Sequence, residues 1–251
     1  QRLCGIAISQ KGTGFNRNLC PFLERWKGKT TMSQTQDTSV ILVCAGNATR
    51  MQGKNKILLP LGDTNVIGMS MRAFEACPRV AEIIVVARPA DHDAIRETAE
   101  QCGITKFHAI VAGGSTRQES VMCGLRALSK GTTMIAVHDG ARPLVKTEQI
   151  AQVIQDASVF GGATLGVPVK DTIKVVNDRL IVDTPYRPHL YITQTPQVFK
   201  RQLYFTDDCQ LIEAINCKVY MTEGDYTNIK ITTPEDIAIA EILLARQKEE
   251  A

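Results

Sequence analysis

The chain has 251 residues, 44% hydrophobic and 22% charged, with a formal net charge of +3. These values suit a soluble globular protein with room for a large core. No apolar run approaches the ~20 residues that a membrane-spanning helix needs. The charge is uneven. Residues 1–31 hold six basic side chains and one acid, so the other 220 residues hold 23 basic and 25 acidic groups. That balance excludes a global basic field for nucleic acid, and any polyanion must be held by local groups.

Residues 1–37 show no sustained hydrophobic period and are rich in Gly, Asn, Lys, Ser and Thr. They are expected to be a leader, tag or disordered extension, with the native start at Met32 and a single domain over 38–251. The segment is basic and acid-poor, which also fits an organellar transit peptide, whereas a secretory signal would need a continuous apolar stretch. The eight cysteines (Cys4, Cys20, Cys44, Cys77, Cys102, Cys123, Cys209 and Cys217) form no C-x-x-C pair and no zinc-finger spacing. They read as reduced, mostly buried thiols of a cytosolic protein.

From residue 39 the pattern is strand, loop, helix, repeated. Strand-length apolar runs occur at Val40–Cys44, Ile83–Ala87, Ala109–Ala112, Met134–Val137 and Ala163–Val169. Helical periods lie between them at Ile67–Ala76, Asp91–Cys102, Glu119–Leu128 and around Ile150, Val153 and Ile154. Strands that are apolar throughout are buried on both faces. The alternation therefore predicts an α/β fold with a mostly parallel open sheet, whose ligands bind at the carboxyl ends of the strands.

Those ends carry the chemistry-bearing loops. After the first strand comes A-G-N-A-T-R-M with Lys54 and Lys56 beyond it. Gly46 permits a tight turn, and Arg50 and Lys56 supply charge for phosphate oxygens. Neither a Walker A nor a dinucleotide fingerprint is present, so a solvated basic turn is the competing reading. After the third strand, G-G-S-T-R-Q-E-S-V puts two glycines before a helix start, with Thr116 and Glu119 spaced as a capping box. Its free amides suit an anion or a base edge; a well-capped helix is the plainer alternative. After the fourth strand, H-D-G-A-R-P sets Asp139 three residues from Arg142. The carboxylate could assist a divalent ion beside a triphosphate, or simply pair with Arg142 to close the loop. His138 reads as a packed strand-end histidine.

Residues 169–192 break the rhythm. Their alternation, with an Asn-Asp turn near Asn177, predicts an antiparallel hairpin arm of the kind that pairs with a second subunit. Further on come Q-T-P-Q-V-F, T-D-D and N-I-K-I-T. The last helix is expected at T-T-P-E-D, with Thr233 as N-cap and Pro234 at its first position.

Six segments occur in one order: A-G-x-x-x-R-M with Lys56, G-G-S-T-R-Q-x-S-V, H-D-G-A-R-P, D-T-I-K, Q-T-P-Q-x-F and N-I-K-I-T-T-P-E-D. Together, over residues 39–246, they resemble the 2-C-methyl-D-erythritol 4-phosphate cytidylyltransferase family. The resemblance implies a Rossmann-like domain with a protruding arm at about 169–192, a homodimer through that arm, and transfer of CMP from CTP to the acceptor phosphate. It implies Arg50 and Lys56 as catalytic charge stabilisers. CTP would be bound by Ala45, Gly46, Asn47, Ala48, Gly113, Gly114, Ser115, Ser120, Asp139 and Arg142. The acceptor would be placed by Thr172 and Arg187, from the other subunit, and by Lys230. Mg²⁺ would be held mainly by the CTP phosphates, with Asp139 as its protein ligand.

Two positions depart from the common family pattern A-A-G-x-G-x-R-M, since Cys44 replaces its first alanine and Ala48 its second glycine. Gly140 replaces an alanine of H-D-A-A-R-P. Ribitol-5-phosphate cytidylyltransferases share several of the motifs, but D-T-I-K and H-D-G-A-R-P favour the methylerythritol enzymes. A non-catalytic nucleotide-binding module is the reading from another class; the full set of matching cations argues against it. No nucleic-acid or membrane partner is expected, and the location is cytoplasmic, or organellar if residues 1–31 act as a transit peptide.

Overall fold

Strand β1 (Thr38–Val43) lies in the interior of a seven-stranded sheet in the computed structural model, which describes residues 35–46, 55–204 and 219–249. It pairs in parallel with β4 (Val80–Ala87) on one side and β6 (Met134–Asp139) on the other. Beyond β4 lies β5 (Phe107–Ala112), also parallel. Beyond β6 lies β10 (Tyr191–Lys200), antiparallel to both β6 and β7 (Gly162–Pro168). Parallel to β7, β11 (Tyr220–Glu223) completes the order β11-β7-β10-β6-β1-β4-β5. The strands β2 (Pro60–Leu61) and β3 (Thr64–Asn65) form a separate small ladder.

The continuous apolar runs have a direct cause. Successive strand residues point to opposite faces, and both faces are covered. Val40 and Leu42 of β1 join one core cluster, with Ile83 and Val85 of β4 and Met134 and Ala136 of β6. Ile41, Ile84, Val86, Ile135 and Val137 join the other. The first cluster is roofed by α1 (Val66–Glu75), α2 (His92–Gln101) and α4 (Thr147–Phe160), through residues such as Ile67, Phe74, Ile95 and Ile154. The second is roofed by α3 (Arg117–Arg126), through Val121 and Leu125. Each large apolar side chain taken fully from water contributes about 1.5–3 kcal/mol. A polar residue without a hydrogen-bond partner on either face of these interior strands therefore opposes the fold.

The predicted strands and helices recur with shifts at their ends. Helix α3 begins at Arg117, directly after its cap Thr116, and ends at Arg126, two residues before the expected Leu128. A single turn, α5, covers Arg201–Tyr204. The last helix, α6 (Glu235–Glu249), starts after Pro234 rather than at it. There the Asp236 carboxylate accepts from the amides of Thr232 and Thr233 at 2.7 and 2.8 Å. The cap is thus made by an acid inside the helix reaching back.

The arm is a hairpin of β8 (Val175–Asn177) and β9 (Leu180–Asp183). Its two central turn residues, Asp178 and Arg179, have φ of 46° and 67°, the left-handed pair that suits a two-residue hairpin turn. The arm is shorter than the expected 169–192, because Tyr191 and Ile192 pair with Pro168 and Val167 as the start of β10. Local sequence pattern does not mark β10 and β11 as strands. The β10–β7 ladder is interrupted between Thr193 and Gln197, where Pro196 has no amide to donate. That interruption disguises the strand in the sequence.

Candidate functional site

From β1 the chain moves outward to β4 and β5, then returns to the opposite side of β1 as β6. That reversal creates a crevice at the carboxyl ends of β1 and β6. A cavity of about 370 Å³ occupies it. Its walls include Cys44, Ala45, Gly46 and Lys56 after β1, Gly114–Arg117 and Ser120 around the start of α3, Asp139 and Ala141 after β6, and Lys230. Four loops that are far apart in sequence therefore meet at one place.

The wall after β5 is built by internal hydrogen bonds. Thr116 caps α3, its hydroxyl accepting from the Glu119 amide at 3.1 Å. Glu119 reaches back to the Ser115 amide and hydroxyl, at 2.7 and 2.6 Å. Half of the expected capping box thus forms at Thr116, while the return bond of Glu119 is made at Ser115, one residue before the cap. Those Ser115 contacts hold the Glu119 carboxyl below its usual value. Ser120 is buried, accepts from the Gly114 amide at 3.1 Å and donates to the Thr116 carbonyl at 2.9 Å. Gly113 does not line the cavity. A Cβ there would overlap the Ala45 side chain, so this glycine lets the loop after β5 close against the loop after β1.

Asp139 is the electrostatic centre. Its Oδ2 lies 2.7 Å from Lys230 Nζ, and its Oδ1 lies 3.5 Å from Arg117 Nη2. Arg142 Nε stands 3.9 Å away. Burial alone would raise the Asp139 carboxyl. The Lys230 hydrogen bond and charge, with Arg117 behind them, outweigh it and hold the value below the ordinary one. The loop-closing Asp139–Arg142 pair expected from H-D-G-A-R-P is therefore the weakest of the three contacts. Arg142 instead donates to the Asn228 carbonyl at 2.7 Å and does not line the cavity.

Behind Asp139 runs a polar chain. Its amide donates to Thr195 Oγ1 at 3.1 Å, and Thr195 Oγ1 lies 3.0 Å from His138 Nδ1. His138 Nε2 lies 3.1 Å from the Arg142 carbonyl, which can only accept. Nε2 must then carry the proton, and Nδ1 accepts from the Thr195 hydroxyl. Every partner is satisfied by a neutral ring. Burial also pushes the His138 value down to about 4. This is the packed strand-end histidine that the sequence suggested, with Phe74 edge-on to it at 4.9 Å between centroids. Asn228 Nδ2 donates to the Thr195 carbonyl at 3.1 Å. The late motifs Q-T-P-Q and N-I-K thus meet under the Asp139 loop.

Among the other sequence candidates, Ala45, Gly46, Lys56, Gly114, Ser115, Ser120, Asp139 and Lys230 are brought together at the cavity. Asn47, Ala48 and Arg50 lie outside the described residues. Thr172 and Arg187 belong to the arm and do not line the cavity; Arg187 Nη1 donates to the Lys170 carbonyl at 3.0 Å. Thr116 and Arg117 also line it, although the sequence marks them only as helix-start residues. The signal for Arg117 was its place in the first turn of a helix that opens at a strand's carboxyl end. Cys44 also lines the cavity while 6% exposed. Its thiol is pushed up, first by burial and then by the nearby Asp139 charge.

An open α/β sheet with cations and one carboxylate around a crevice at the strand ends defines a phosphate-handling nucleotide-binding enzyme of the Rossmann-like class. Residues 38–246 match the family model described as 2-C-methyl-D-erythritol 4-phosphate cytidylyltransferase. A protein of that name from Caldanaerobacter subterraneus subsp. tengcongensis is 42% identical, over 84% of this chain and 100% of its own length. Another, from Pelotomaculum thermopropionicum, is 40% identical over 83% of this chain and 95% of its own. The crystal structure of 4-diphosphocytidyl-2C-methyl-D-erythritol synthase from Anaerococcus prevotii superposes with a TM-score of 0.74 at 30% identity, covering 85% of this chain and 98% of that one. The chain belongs to the 2-C-methyl-D-erythritol 4-phosphate cytidylyltransferase family. It is a nucleotidyltransferase of isoprenoid precursor biosynthesis that uses CTP to cytidylylate methylerythritol phosphate.

Proposed function

We propose that the cavity at the ends of β1 and β6 is the CTP site, and that two copies of the chain complete the acceptor site. The supporting observation is the convergence of Lys230 and Arg117 on Asp139 in one crevice that Lys56 also lines. A triphosphate needs such charge, and a base with its ribose needs the turns at Gly114–Ser115 and Ala45–Gly46 beside it. An oxygen of the acceptor phosphate forms a bond to the α-phosphorus of CTP. The bond from that phosphorus to the bridging oxygen breaks, and the electron pair leaves with pyrophosphate. The nucleophile is already ionised, so the protein supplies position and positive charge rather than a base. Arg50 and Lys56 take the charge that grows on the α-phosphate and the leaving group. Ser120 holds the Gly114 turn for the base edge, and Lys230 stands ready for the acceptor phosphate.

A divalent ion such as Mg²⁺ fits this donor set in one way only. No cluster of three or more metal-ligating side chains occurs among the described residues, and a small hard cation is satisfied by phosphate and water oxygens with a single carboxylate. Asp139 would be that carboxylate. When bound, the ion would neutralise triphosphate charge. Arg187 and Thr172 stand on the arm, and we assign them to the acceptor bound by the partner subunit. No helix among the described residues is long and apolar enough to cross a membrane.

Pyrophosphate release from CTP and Mg²⁺, with methylerythritol phosphate and ribitol 5-phosphate as separate acceptors, tests the reading. Release with the first and not the second is expected. Release with ribitol 5-phosphate alone, or CTP binding with no turnover, would overturn it.

A further inference from the structure

Cys44 and Gly140 lie on the two strand ends that frame the crevice. The Cys44 amide donates to the Val86 carbonyl at 2.7 Å, and the Gly140 amide donates to the Val43 carbonyl at 3.1 Å. The Gly140 carbonyl accepts from Ser70 Oγ at 3.0 Å. Gly140 does not have the positive φ that makes glycine obligatory. Its backbone would accept any residue, so space alone excludes a side chain. A Cβ on Gly140 would overlap Cys44 Sγ and lie 3.1 Å from Ile67 Cδ1. The sulfur fills the volume where a methyl group at residue 140 would stand.

We infer that Cys44 and Gly140 are a size-matched pair that positions the ends of β1 and β6 at the cavity, one opening the Ala45–Gly46 turn and the other carrying Asp139. Gly140 is flanked by Asp139, whose carboxylate binds Lys230 and Arg117. On its other side Ala141 accepts from the Ile231 amide at 2.8 Å, one residue past Lys230. A displacement at Gly140 therefore moves the carboxylate and the lysine segment together. Cys44 contributes sulfur volume rather than reactivity, because burial keeps its thiol protonated. Both residues act through others, so they are positioning residues.

The role rests on the cavity being the CTP site, which calorimetry of CTP binding to the wild-type protein tests separately. The experiment is a cycle of wild type, Cys44→Ala, Gly140→Ala and the double variant. For each, kcat, the KM for CTP and the thermal midpoint are measured, with kinetics run well below unfolding. Gly140→Ala should lower kcat/KM for CTP by roughly tenfold or more, since misplacement of ~1 Å can cost up to ~10². Cys44→Ala, which removes the sulfur that fills the space, should cost less than Gly140→Ala, and the double variant should recover most of the Gly140→Ala loss, as coupled neighbours do. A Gly140→Ala protein with wild-type kinetics, or a double variant no better than Gly140→Ala, would overturn the inference. So would a lowered thermal midpoint with unchanged kinetics, which assigns the pair to packing alone. If Gly140→Ala does not fold, a folded, active double variant supports the pairing and an unfolded one sinks it.

Discussion

The crevice and the arm satisfy their side chains in opposite ways. In the crevice, Asp139 meets Lys230 and Arg117, and His138 and Thr195 are joined in one buried chain. In the arm, β8 and β9 pair as strands only with each other among the described residues, and Leu180 and Ile181 are 70% and 63% exposed. A two-stranded hairpin is marginal by itself in water, and a cluster of Val175, Val176, Leu180, Ile181, Val182 and Tyr186 facing solvent is what interaction surfaces look like. On our reading, the nucleotide half of the site draws its described residues from one chain. The acceptor half, on our reading, waits for a second copy to cover the arm.

The contrast can be broken from either side. The largest effect should fall in the crevice, where Lys56→Ala lowers kcat by ~10²–10³ in a steady-state pyrophosphate assay, the usual loss for one preorganised charge donor. Arg50→Ala should behave alike. A loss below tenfold would remove that residue from the charge stabilisers.

Next comes the pH dependence of the buried chain. His138 is held neutral with a value of about 4, against 6.5 when unperturbed. The unfolded chain therefore binds more protons than the folded one between those values. The stabilisation is complete above pH 6.5 and is lost as pH falls toward 4, by on the order of 3 kcal/mol. Asp139, whose value lies below 3.8, acts only in more acid solution. Urea midpoints across pH 4.5–7 should fall with acidity, and His138→Asn should flatten that slope.

On the arm, Ile181→Asp should shift the protein toward monomer in sedimentation velocity. Turnover should drop by roughly 10², with CTP affinity kept, because an unpaired charge in an apolar interface is strongly unfavourable. An intact, active dimer would leave the arm without its assigned role. Arg187→Ala should raise the acceptor KM by about tenfold, the value of one charge-assisted contact, and leave the CTP KM unchanged. Smallest of all, Thr116→Ala should cost about 1 kcal/mol of stability by removing the α3 cap, read from urea denaturation.

Much of this site was legible because its groups lie where strand periodicity ends. Gly46, Lys56, Ser115 and Asp139 each follow an apolar run, and the open-sheet rule points there. Arg142 was legible as a charge but not as a partner. Its spacing from Asp139 suggested a pair, while Lys230, 91 residues further along, makes the closer contact. Long-range pairing leaves no trace in local spacing. Strand β10 was hidden for another reason. It is antiparallel and interrupted at Pro196, so it lacks the continuous apolar run of its neighbours.

By itself the sequence determined the alternating elements, the family and the loops that matter, because these follow from hydrophobic period and local residue order. Tertiary structure alone decided which cation Asp139 holds, that His138 is a neutral strut, and that Cys44 sulfur occupies the space beside Gly140. Those outcomes depend on which strand ends become neighbours when the chain reverses from β5 to β6. Side chains then compete for one carboxylate and one small volume, and proximity in space rather than in sequence settles the competition.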